Sequence, residues 1–155
     1  MLRAISRSVV AAGCKRTAID RRGVSAIEFA IVAPVVLAIG TGMLKFGVAI
    51  SHYLMLTNAA AQGATTFALS RGTTTPFTST STAITNAAQS LTAASITKTL
   101  KVNGTACTSD TTCAAALSAG ATALVITTYP CDLSVMGINY KPSCTLSVQS
   151  AQMVQ

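Results

Sequence analysis

The 155-residue sequence has no tryptophan, four phenylalanines, three tyrosines, one histidine and four carboxylates. Each shortage excludes something. With few large apolar side chains among many Ala, Thr and Ser, a domain made from this chain buries little area per residue. It needs reinforcement from disulfides, a partner or a long helix to pack on. After Gly23 the acids are Glu28, Asp110 and Asp132, and the histidine is His52. No nucleophile, base and orienting group stand at a recognisable spacing, so the chain reads as non-enzymatic, with no cofactor and no small-molecule substrate expected. A bound metal is equally unexpected: Cys107 with Cys113, and Cys131 with Cys144, lack the spacings of zinc fingers, and His52 stands far from all four.

What the sequence does have is positive charge, formally +7, and it is unevenly placed. Arg3, Arg7, Lys15, Arg16, Arg21 and Arg22 precede Gly23, with Asp20 as the one acid among them. No basic stripe with interleaved aromatics follows residue 50, which argues against a nucleic-acid partner. The excess is the flank of an apolar segment. Residues 29–44 carry no charge, and continuing past Lys45 the apolar character runs to Ile50. Over residues 29–50 a helix at ~1.5 Å per residue is long enough for a hydrocarbon core of ~30 Å, provided that Lys45 snorkels outward. Lys and Arg within ~15–20 residues of a span hold that end in the cytoplasm. The reading is a single-pass membrane protein, with lipid as a partner, residues 1–23 inside and residues from Ser51 onward exported. Arg21 and Arg22 set that topology.

Three fates compete for the segment: a secretory signal peptide cut after small residues such as Ala38 or Gly40, a twin-arginine signal, and an uncleaved anchor. The run is long for a signal peptide. Glu28 at its front has no purpose there.

Gly23, Val24, Glu28 and Phe29 give a sharper reading. The pattern G-VSAI-E-F before an apolar helix resembles the processing site of type IV prepilins. GVSAIEFAIVAPVVL is similar to the opening of the TadE-like pilus assembly proteins, pseudopilins of the Tad (tight adherence) system. The resemblance is specific over residues 21–37. It implies a prepilin peptidase that cuts after Gly23, leaving Val24, where many major pilins have Phe, as the new N-terminus and Glu28 as the fifth mature residue. It also implies other pilins and pilus assembly proteins as partners, with Glu28 and Phe29 as assembly contacts and Glu28 pairing with another subunit's amine. The resemblance places the protein in a bacterial inner membrane, N-terminus cytoplasmic and C-terminal domain periplasmic, or in an extracellular pilus of the kind used in bacterial adhesion. Physics gives the carboxylate a reason: in lipid it costs ~2.5–3.5 kcal/mol at mid-bilayer, less near an edge, and the first turn of a helix favours an anion. The rival reading is an interfacial carboxylate on a bitopic, membrane-anchored periplasmic protein with a binding or envelope-structural role.

The fold expected is α+β and type IV pilin-like: a long N-terminal transmembrane helix continuing into a small periplasmic domain with a second helix and a small antiparallel sheet. The expected divisions are a cleaved basic leader (1–23), the transmembrane part of the helix (24–50), its periplasmic continuation (51–72), a Thr/Ser-rich loop (73–82) and the domain (83–155). Phe46, Ile50, Tyr53, Thr57, Ala60, Ala64 and Phe67, spaced by three or four, form the expected packing face. Gly72 and Pro76 signal the helix end. A second helix is expected over residues 83–96, capped by Ser81 or Thr82. Strands are expected over residues 98–103, ending in the Asn103-Gly104 turn, and over 121–129 and 144–154, the last two paired antiparallel. Four cysteines in an exported domain suggest disulfides, and proximity favours Cys107 with Cys113 and Cys131 with Cys144. The second closes a loop worth about 3 kcal/mol in the chain-entropy model.

Overall fold

The computed structural model describes residues 21–155, with side chains from Ser25 onward. Cys14 and most of the expected leader lie outside the described residues. The chain divides after Val36 into two compact units. In the first, every described residue belongs to helix α1 (Arg21–Leu69), which passes through Pro34 without ending.

In the second unit α1 continues to Leu69 and closes on a turn in which Thr73 N–H donates to Ser70 O and Gly72 takes φ +80°. Gly72 supplies that left-handed residue without a Cβ penalty. Helix α2 (Pro76–Ala87) follows, then a 3₁₀ turn (Ala93–Ser95), strands β1 (Thr97–Val102) and β2 (Thr105–Cys107), helix α3 (Asp110–Ala116), and strands β3 (Thr122–Pro130), β4 (Ser134–Val135), β5 (Ile138–Asn139) and β6 (Thr145–Met153). The main sheet is antiparallel in the order β2-β1-β3-β6, and β4 and β5 form a separate hairpin. The architecture is α+β, with a long N-terminal apolar helix and a small antiparallel sheet.

The strands form where alternation predicts them. Leu100 and Val102 of β1, Ala123 and Val125 of β3, and Val148 of β6 are buried and alternate with exposed or half-buried neighbours. Register pairs Val125 with Leu100 on one side and Ser150 on the other. Asn103 and Gly104, at φ 49° and 85°, make the two-residue turn between β1 and β2. The buried face joins Leu56, Ala59, Ala60, Ala64 and Phe67 of α1 and Ile84 of α2 in one core.

Two expectations about the helices are corrected. Residues 76–82, expected in a loop, begin α2, so the cap is Thr75 rather than Ser81 or Thr82. Pro76 suits the first turn, whose N–H groups have no intrahelical partner. The Thr/Ser run tolerates the helix because its hydroxyls bond back to carbonyls one turn earlier: Ser79 to Thr75, Thr80 to Pro76, Thr82 to Thr78 and Thr85 to Ser81. The second correction concerns α1. Phe46, Ile50 and Tyr53 are exposed, whereas Ala38, Gly42, Lys45, Ala49 and His52 are partly covered, and the stripe becomes fully buried at Leu56. Between Ala38 and His52 the covered face is thus lined by small and polar residues, and the large apolar side chains there point outward.

Candidate assembly site on the long helix

Gly23 and Val24 lie in helical backbone near the start of α1. Glu28 stands in the second described turn of α1. Glu28 and Phe29 are exposed. They open a surface on which Ile31, Val32, Val35 and Val36 are also exposed. From Ser25 to Leu69 the helix is long and apolar enough to cross a membrane. Such a surface is stable in water only when covered, by lipid or by other helices.

The other two acids have structural partners. Asp110 starts α3, where its carboxylate accepts from the hydroxyl of Thr78 at 2.6 Å and the N–H of Thr78 at 2.9 Å. Those bonds hold its pKa below the ordinary carboxylate value, the hydroxyl contributing most. Asp132 accepts from Lys45 Nζ at 2.8 Å and, through its other oxygen, from the Ser134 N–H at 3.0 Å. Its pKa falls to about 2, chiefly through the Lys45 bond. Lys45 therefore grips the loop after β3 rather than extending free toward headgroups. The pair is exposed and adds little stability; its effect is to fix where the loop lies on α1. Lys98 of β1 reaches α2, donating to Ser81 O, Ser81 Oγ and Thr85 Oγ1, and partial burial lowers its pKa.

His52 packs edge-on against Tyr129, ring centroids 5.5 Å apart. Cysteines pair as Cys107–Cys113 and Cys131–Cys144, each with Cα atoms 5.1 Å apart. The first ties β2 to α3. The second closes the base of the loop that carries β4, β5 and Asp132. Among the described residues no group of three or more His, Cys, Asp or Glu side chains is placed to hold a metal.

Sequence reasoning missed the Lys45–Asp132 pair, whose members are 87 positions apart. The one available signal was the spacing Ala38, Gly42, Lys45, Ala49, His52, a stripe of small and polar residues continuing the packing face of the domain.

Residues 23–65 match the family model of the TadE-like proteins, the family whose opening the sequence resembles. The match lies wholly within α1. No curated protein and no solved structure matches the chain.

Proposed function

We propose that this chain is a membrane-anchored pseudopilin or minor pilin of a Tad-type pilus, non-enzymatic itself, cut after Gly23 by a prepilin peptidase and assembled through α1. The observation that carries the reading is the TadE-like match beginning at Gly23, on a helix whose exposed residues from Ala26 to Ile50 are apolar apart from Glu28 and Thr41. Cleavage removes the turn that precedes Val24 and makes Glu28 the fifth residue of the mature helix. It also creates an ammonium group at Val24 of every subunit. A carboxylate in lipid and an amine on a neighbouring helix each relieve the other's desolvation, so the pair favours a defined axial stagger between subunits. The basic flank holds the N-terminus in the cytoplasm, and the disulfide-bonded domain then lies in the periplasm.

The supporting experiment compares two substitutions in the native host. Gly23→Ala leaves an unprocessed precursor. Glu28→Ala is still processed to the mature size but assembles few or no pili, because the charge acts after cleavage. Normal piliation by the Glu28→Ala protein would remove the carboxylate from the mechanism.

A further inference from the structure

Beyond Leu69, four large apolar side chains are exposed among the described residues, and three of them, Met136 (60 %), Ile138 (61 %) and Tyr140 (70 %), stand on or directly after the β4–β5 hairpin. The hairpin is built to present them. Val135 pairs with Ile138, leaving Met136 and Gly137 as a two-residue turn with φ 51° and 82°. Such a turn favours Asn or Gly at its first position, and a bulky residue there is unusual. Here it puts a methionine at the apex. Leu133, Val135 and the inner edge of Tyr140 line a groove against Ala38, Gly42, Lys45 and Phe46 of α1. Met136 borders a second groove beside Thr41, Leu44 and Val48. The disulfide Cys131–Cys144 and the Lys45–Asp132 pair hold the loop in that position.

Its place along α1 identifies what covers it. The uncharged stretch of residues 29–44 is ~24 Å of helix, shorter than a hydrocarbon core of ~30 Å. A bilayer centred on this stretch extends ~3 Å past each end, so its outer boundary falls near Lys45 and Phe46, beside the hairpin. The helix is apolar and exposed at that level too, at Met43, Leu44, Phe46 and Val48. Two-stranded backbone cannot enter the core, since its edge N–H and C=O groups need water, but it can lie in the headgroup layer with apolar side chains directed inward. Tyr140 is a residue type of that layer, and Lys141 beside it suits lipid phosphate.

We infer that the β4–β5 hairpin is a second membrane contact: Met136, Ile138 and Tyr140 insert into the interface of the same bilayer that α1 spans, on its outer face, so the domain lies against the lipid. This rests on α1 being a membrane span, and the test separates the two claims. The chain has no tryptophan, so single substitutions report locally. Val36→Trp, Met136→Trp, Ile138→Trp and, on exposed α3, Thr111→Trp are introduced into the full chain, which is reconstituted in phosphatidylcholine–phosphatidylglycerol vesicles. Lipids brominated either near the headgroup or mid-chain serve as quenchers. Expected are loss of most Val36→Trp emission with mid-chain bromine, loss of most Met136→Trp and Ile138→Trp emission with headgroup-proximal bromine, and none for Thr111→Trp. Quenching of Val36→Trp with both hairpin reporters unquenched overturns the inference and leaves the span intact. A blue-shifted but unquenched hairpin reporter overturns it likewise, since the apex is then covered by protein, such as a second copy of the chain. If Val36→Trp is also unquenched, the span itself fails.

Discussion

Gly63 is where α1, α2 and β3 meet. A Cβ built there lies 2.5 Å from Ile84 Cγ1, 2.9 Å from Ile84 Cδ1 and 3.5 Å from Val125 Cγ1. In sequence this glycine looks like a weakness within a helix, since alanine is preferred there by about 1 kcal/mol. The structure reverses that, because Ile84 is fully buried and has no room to move aside. Overpacking a close-packed site typically costs about 1–3 kcal/mol. Gly63→Ala should therefore lower the unfolding temperature of the domain, and adding Ile84→Val should recover part of the loss; thermal unfolding by circular dichroism checks both. Individual contacts of this kind were the least legible from sequence. Glu28 and Gly23 stood out through local spacing, whereas Lys45 with Asp132 and Gly63 with Ile84 depend on how distant segments meet.

Among the elements, those with strong periodicity were readable. Strand β3 alternates from Thr122 to Thr128 and β6 from Thr145 to Ala151, and the two pair antiparallel as their patterns suggest. Helix α2 was displaced in the sequence reading because Thr and Ser are poor helix formers in isolation. Back-bonded hydroxyls and the core contacts of Thr80 and Ile84 override that preference. Helix α3 is only seven residues, held by a capping box between Ser109 and Thr112 and by Cys113, and leaves too short a pattern to detect. The loop between β3 and β6 owes its order to Cys131–Cys144 and the short β4–β5 pairing. Replacing both cysteines, Cys131→Ser with Cys144→Ser, should cost up to about 3 kcal/mol by releasing loop-closure constraint. The sharpest signature should be local: faster amide exchange in residues 132–143, with β1 and the middle of β3 still protected.

For the molecule as a whole, the long apolar helix followed by a small disulfide-bonded α+β domain was legible because hydropathy and cysteine placement fall in different parts of the chain. The face that α1 turns toward its domain was not legible. Between Ala38 and His52 the helix turns small and polar residues toward the domain and large apolar residues outward, and only from Leu56 on does it bury large side chains such as Leu56 and Phe67. The central claim concerns processing, and the N-terminal sequence of the protein purified from its host membrane tests it most directly. The account predicts a chain beginning at Val24, while a protein that retains Met1, or begins near Thr41, would contradict it.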